Sequence, residues 1–359
     1  MIWAKQLLDD NYALERVIGC GGAGIVVSAR HARLGLRVAL KFLRPDRPRT
    51  PEVIKRFVRE CQTTARVQNA HVTRVLDIGR LPDGEPFLVM EHLTGCDLAA
   101  LLEERGPLAC ADAVAYIRQA CVGVASTHGH GIIHGDLRPA NLFLTLSPNG
   151  SPLVKLIDFG EAEEIANPHE GAVKPVDLGS APVVAPEQLR TERRADVKSD
   201  IWALGAALFT LLSGRSPFER SYAAETYLAI LSGRVPDLCV LRPEIERPLA
   251  AIVERCLAPD PEKRFASAAE LGAALAPFAN PGAAPRSVAR PTQVPAPPPK
   301  ASVSEKAVEA STKAGEATPA PRGYWGKDSD SSPTCVIPQN SIIAKTSGHP
   351  SKSGLTAHC

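Results

Sequence analysis

The stretch Gly19-Cys20-Gly21-Gly22-Ala23-Gly24-Ile25-Val26 fits the pattern G-x-G-x-x-G-x-V and lies between two β-like runs. Glycine at Gly19, Gly21 and Gly24 removes the Cβ atoms that would hold backbone N–H groups away from phosphate oxygens. A dinucleotide-binding loop has a similar composition, but such a loop opens a helix, and here a β-like run follows. Val38-Ala39-Leu40-Lys41 then ends an apolar strand in a lysine. A lone lysine at a strand end is usually a solvated surface group. Glu60 shifts that reading, because a carboxylate on the one helical segment of this region can form the ion pair that aims Lys41 at phosphates.

Further along stand His134-Gly135-Asp136-Leu137-Arg138-Pro139-Ala140-Asn141, then Ile157-Asp158-Phe159-Gly160, then Ala185-Pro186-Glu187. In order and spacing these resemble the catalytic loop, the D-F-G metal motif and the A-P-E segment of the eukaryotic-like (Hanks-type) serine/threonine protein kinases of bacteria. Asp200 to Gly205 (D-I-W-A-L-G) and Arg264 look like further landmarks of that family, with Arg264 the expected partner of Glu187. The resemblance runs from about Asn11 to Phe278.

The resemblance implies a set of roles. Asp136 would accept or orient the proton of a substrate hydroxyl, and Asn141 with Asp158 would hold Mg²⁺ against the phosphates of ATP. Lys41 would neutralise phosphate charge, and Glu60 would fix Lys41. Arg138 replaces the more usual lysine with a planar fork that stays cationic. The adenine would lie between Val26 and Ala39 above and Phe143 below, with Met90 at the back and Glu91 and Leu93 offering backbone groups. Plain core packing is the ordinary explanation for the apolar members, and both can hold.

Several positions depart from the pattern. Gly135 stands where the family's arginine normally receives an activation-loop phosphate, and between Gly160 and Gly179 there is no Ser, Thr or Tyr. The expectation is a kinase active without phosphorylation of that loop, which Glu161, Glu163, Glu164, Glu170 and Asp177 keep solvated. Pro139 and the pair Gly179-Ser180 resemble serine/threonine kinases, whereas Arg138 resembles some tyrosine kinases. Ala181, Val183 and Val184 replace the expected Pro, Tyr and Met. The rival reading is a pseudokinase, an ATP-binding scaffold without transfer.

Elements must bring these groups together. Short β-like runs at 14–18, 25–29 and 36–42, a helical pattern from Pro51, and strand patterns at 73–79 and 86–92 describe a small β-rich lobe of about residues 11–93. Helical spacing at 97–104, 111–127, 197–213, 222–232, 248–258 and 267–276 describes a larger α lobe of about residues 94–279. The fold class is therefore α+β, a two-lobed kinase fold over residues 1–279. Beyond it, residues 280–359 are rich in Pro, Ala, Ser and Thr, with only Tyr324 and Trp325 as aromatics. Such a tail buries too little apolar area to offset an ordering cost of about 1 to 2 kcal/mol per residue, so disorder is expected. Pro295 and Pro297 to Pro299 could dock a polyproline-binding partner, though a linker is the ordinary outcome.

Composition excludes other classes. Lys plus Arg (41) nearly balance Asp plus Glu (39), so no whole-chain field favours nucleic acid or anionic lipid. Nine scattered cysteines without a C-x-x-C pair point to a reducing cytoplasm. The most apolar stretch, Trp202 to Leu212, is far short of the roughly 20 residues that span a bilayer. His128, His130 and His134 lie close together, but no carboxylate or cysteine spacing completes a metal set.

Overall fold

The computed structural model describes residues 7–8, 11–20, 24–44, 50–159, 163–164, 184–191 and 195–279. Gly21, most of the acidic loop and the expected tail lie outside the described residues. By its contacts the chain divides into Met1–Arg290 and Pro291–Cys359, and the following concerns the first unit.

Alternation of apolar residues builds the small lobe. Strands β1 (Leu7–Leu8), β2 (Tyr12–Cys20), β3 (Ile25–His31), β4 (Arg37–Phe42), β5 (Val75–Arg80) and β6 (Pro86–Glu91) form one antiparallel sheet in the order β1-β2-β3-β4-β6-β5. From one face of it Val27, Ala29, Val38, Leu40, Phe87 and Val89 pack with Tyr12 and Leu14 into a core of their own. Between β4 and β5 runs helix α1 (Pro51–Ala65). Thr50 caps it by accepting the Val53 N–H, and Pro51 occupies the first turn, where its missing donor costs nothing. Phe57 and Cys61 of α1 close on Leu88, so the helix covers the opposite face of the sheet.

The large lobe begins with β7 (Cys96–Asp97) and α2 (Leu98–Arg105), then α3 (Cys110–Gly129). After β8 (Ile132–Ile133) comes a hairpin, β9 (Leu142–Leu146) and β10 (Pro152–Leu156), followed by β11 (Glu163–Glu164), which pairs with β8. Helices α4 (Pro186–Thr191), α5 (Val197–Ser213), α6 (Ala223–Ser232), α7 (Leu238–Leu241), α8 (Arg247–Cys256) and α9 (Ala268–Ala274) complete it.

Helix α5 is the axis of this lobe. An Asp196/Ser199 capping box starts it and Gly214, at φ +78°, ends it. Ile201, Trp202, Leu204, Leu208, Phe209, Leu211 and Leu212 are all buried along it. Burial of each such side chain stabilises by about 1.5 to 3 kcal/mol, so α5 is held by packing on every side. This is the two-lobed α+β arrangement expected from the sequence, with the segment boundaries displaced by one or two residues.

Candidate active site

The cleft face of the small lobe follows from strand register. Lys41 pairs with Val26 on one side and Leu88 on the other, and Ala39 pairs with Ser28 and Met90. Directly opposed residues of antiparallel strands share a face, so Val26, Ala39, Lys41 and Met90 all leave the face opposite the β core. Lys41 is only 4% exposed, and its Nζ donates to Asp158 Oδ1 at 2.8 Å. An ammonium removed from water this fully requires a paired anion. Glu60 lies in the last turns of α1, and its side chain is outside the described residues.

Of the three loop glycines, Gly19 is the next-to-last residue of β2, where an added Cβ would meet Val26 only at ordinary contact distance. A Cβ on Gly24 would meet the Phe42 carbonyl oxygen at 2.4 Å. Close approach of β3 to β4 therefore demands glycine at that position, independently of any phosphate.

The catalytic-loop segment is suspended from one buried carboxylate. Asp200, 1% exposed in the first turn of α5, accepts the backbone N–H of His134 on Oδ2 at 3.0 Å and that of Gly135 on Oδ1 at 3.0 Å. His128 Nε2 meets the same Oδ2 at 2.7 Å. Gly135 sits at φ +77°, a conformation that costs an L side chain roughly 1 kcal/mol or more and glycine almost nothing. The His134 ring is fully buried and packs on Phe159 at 4.6 Å, while its Nδ1 accepts the Asp136 N–H at 3.3 Å. One side chain of the D-F-G segment and one of the H-G-D segment are thereby fixed against each other.

Asp136 and Asn141 meet across a short turn at Pro139–Asn141. Asn141 Nδ2 donates to Asp136 O at 2.8 Å and to Asp136 Oδ2 at 2.9 Å. Burial pushes the Asp136 carboxyl above its ordinary value, and Asp158 nearby adds to the rise. Arg138, His134 and the Asn141 bond oppose it. Asp158 stands at φ +62°, the one non-glycine with positive φ among the described residues. Such backbone costs of order 1 to 3 kcal/mol and is retained where surrounding contacts over-determine it, here the Lys41 bond and the buried Phe159. Asp158 thus touches the small lobe through Lys41 and acts electrostatically on Asp136 of the large lobe.

The other end of the cleft is a seam between β6 and the β9–β10 hairpin. Met90 and Glu91 end β6, and Leu93 follows in the connection to β7. Gly95, at φ +150°, lies so close to β9 that a Cβ would meet the Leu144 carbonyl oxygen at 2.0 Å. Thr145 Oγ1 donates to the Thr94 carbonyl at 2.8 Å. Phe143 is paired in register with Asp97 of β7 and Lys155 of β10, so it lies beside this connection. The two described sets, Lys41–Asp158 and Asp136–Asn141, are brought together, and Val26, Ala39, Met90 and Phe143 are placed on the elements that frame them.

The Glu187–Arg264 partnership is also present. The two guanidinium nitrogens donate to the two carboxylate oxygens at 2.7 and 2.8 Å, with the arginine side chain fully buried against Trp202. Asp200 was only a landmark in the sequence; a lone carboxylate in the apolar run of α5 was the signal of its structural task. Nothing in the local sequence marks Lys155, whose Nζ donates to Glu91. Among the described residues no three or more His, Cys, Asp and Glu side chains lie together in a way that could hold a metal ion.

The family model described as "Protein kinase domain" matches residues 12–274. Among curated relatives, the serine/threonine-protein kinase PknB of Mycolicibacterium smegmatis is 36% identical over 275 residues, covering 75% of this chain and 43% of that protein. Serine/threonine-protein kinase Pkn1 of Myxococcus xanthus is 32% identical over 269 residues, covering 74% of this chain and 38% of its own length. This chain therefore spans less than half the length of the curated relatives it matches. Among solved structures, the Mycobacterium tuberculosis PknI kinase domain, a double mutant, aligns with a TM-score of 0.61 at 26% identity, covering 78% of this chain and all of that one.

Proposed function

Because this chain belongs to the protein kinase family, we propose that it is a serine/threonine kinase that moves the γ-phosphoryl group of ATP to protein hydroxyls. The observation that carries the reading is Asp158, placed so that it pairs with Lys41 of the small lobe while acting on the charge of Asp136 in the large lobe. That arrangement supports a shared site for the three groups. In the transfer the substrate oxygen forms a bond to the γ-phosphorus, the bond from that phosphorus to the bridging oxygen breaks, and ADP leaves with the electron pair. The hydroxyl proton passes to Asp136, whose carboxylate Asn141 holds in place by its Nδ2. Lys41 stabilises phosphate charge, Arg138 adds a cation beside Asp136, and Glu60 fixes Lys41.

Asp158 and the Oδ1 of Asn141 are hard oxygen donors, few in number, which suits Mg²⁺. Bound there, Mg²⁺ would neutralise charge on the phosphate oxygens. Val26, Ala39 and Met90 would cover the adenine from above and behind, Phe143 from below, with Glu91 and Leu93 offering backbone groups. Gly19, Gly21 and Gly24 would let the loop close on the phosphates, Gly21 lying outside the described residues.

The same reading places the catalytic unit within residues 1–279, lobes meeting near residues 93 and 94, and treats 280–359 as a tail. Among the described residues Cys96, Cys110, Cys121, Cys239 and Cys256 are free thiols, as a reducing cytoplasm would keep them. No helix among the described residues is long and apolar enough to cross a membrane. Loop phosphorylation is not required, since Gly135 lacks the guanidinium that would receive the phosphate and residues 161–179 lack an acceptor hydroxyl.

Transfer of label from γ-labelled ATP to a generic protein tests this. The untreated and phosphatase-treated chains should transfer equally, whereas Asp136→Asn and Lys41→Met should lose about 10²-fold or more. Equal transfer by all four samples would remove the catalytic assignment, and loss on phosphatase treatment alone would remove the loop argument.

A further inference from the structure

Lys155 is a buried lysine on the floor of the cleft that the transfer mechanism does not use. It stands on β10 directly opposite Phe143 of β9, so the two side chains leave the same face of the hairpin. It is 9% exposed, and its Nζ donates to Glu91 Oε1 at 2.7 Å. The same carboxylate oxygen accepts the backbone N–H of Arg74 at 2.7 Å, and the Glu91 N–H donates to the Arg74 carbonyl at 3.0 Å. One glutamate therefore joins the end of β6, the approach to β5 and the strand beneath the cleft.

A general role in holding the lobes together is already filled by other bonds. Leu156 N–H donates to the His71 carbonyl at 2.8 Å, its carbonyl accepts the Thr73 N–H at 3.0 Å and the Thr73 hydroxyl at 2.9 Å, and His71 Nδ1 meets the Val154 carbonyl at 2.9 Å. What Lys155 adds to this seam lies at Glu91, whose backbone leads directly into Leu93. A buried ammonium with its stem beside Phe143 sets the separation between that backbone and the aromatic floor.

We propose that Lys155 is a positioning residue for the nucleotide: through Glu91 it holds the backbone of Glu91 to Leu93 at the height above Phe143 that a purine ring requires. The inference rests on the nucleotide reading of the cleft. Its test is ADP affinity by calorimetry on the full chain, with KM for ATP and kcat measured alongside. Lys155→Met keeps the stem and removes the charge; it should weaken ADP binding and raise KM roughly tenfold while kcat stays within about twofold. Lys155→Arg, still able to reach the carboxylate, should remain within about threefold of the wild type. Glu91→Gln should weaken binding in the same direction as Lys155→Met, and combining the two should add little further.

Thermal melting separates this from a purely structural role. Lys155→Met, or Lys155→Gln should the first not fold, that melts lower yet binds ADP like the wild type would overturn the proposal. So would a fall in kcat at unchanged affinity. A wild-type chain that binds no ADP would remove the nucleotide reading and this inference together, whereas normal wild-type binding with unaffected variants sinks the inference alone.

Discussion

At the scale of single residues, Asp136 carries the sharpest consequence. Its carboxyl is raised above the ordinary aspartate value of 3.8, chiefly by burial. A group raised in the folded state favours folding when protonated: that contribution is fully present below pH 3.8 and is lost as pH rises through the folded value. At pH 7 the ionised side chain therefore works against stability, and Asp136→Asn, which removes the charge, should melt no lower than the wild type there. The difference should vanish on titration below the ordinary aspartate range. On the proposed mechanism activity should move the opposite way, falling on acidification through the raised value because a protonated Asp136 carboxyl could not take the hydroxyl proton. Melting curves of both proteins across pH, with transfer assays alongside, check the pair; an Asn variant markedly less stable at neutral pH would contradict the burial argument. Gly135 shows a second residue-scale effect. Read as a sequence it was a lost arginine, but its φ of +77° also gives glycine a conformational reason to stand there.

At the scale of elements, α4 and α5 are locked to the end of the large lobe by one ion pair. Arg264 is fully buried and gives both terminal nitrogens to Glu187, while its remaining donors reach the Ala258 and Lys198 carbonyls. Removing one partner leaves the other charged in an apolar site, which costs about 3 to 5 kcal/mol. Glu187→Ala should therefore lower unfolding free energy by about that amount in denaturant titration, while the double change Glu187→Leu with Arg264→Met should recover a good part of it. A single variant that loses under 1 kcal/mol would mean that the guanidinium finds solvent when its partner is gone.

At the scale of the whole molecule, the chain divides after Arg290, and the last described helical turn ends at Phe278. The large-lobe core gathers its residues between Val67 and Leu275. A chain ending at Arg290 should consequently fold by itself and melt within about 2 °C of the full chain, since no described core residue is removed. Scanning calorimetry of the two lengths decides it, and a large drop in the shorter one would show that the last 69 residues (291–359) add packing energy.

Sequence alone determined the order of the lobes and most of the polar set, for physical reasons. Period-two runs and period-three-to-four runs reflect which face of an element meets apolar neighbours, so β3, β4, β6, α3 and α5 were legible to within a residue or two. Asp136, Asn141 and Asp158 stood out because the order and spacing of their segments resemble the motifs of the protein kinase family. The β9–β10 hairpin was not assigned, although Asn149-Gly150 in its turn was a local signal. Tertiary structure alone decided who pairs with whom: Lys41 with Asp158 across 117 residues, Asp200 with the backbone of His134 and Gly135, Lys155 with Glu91. These bonds join segments far apart along the chain, and local spacing carries no record of where a buried charge will find its counterpart.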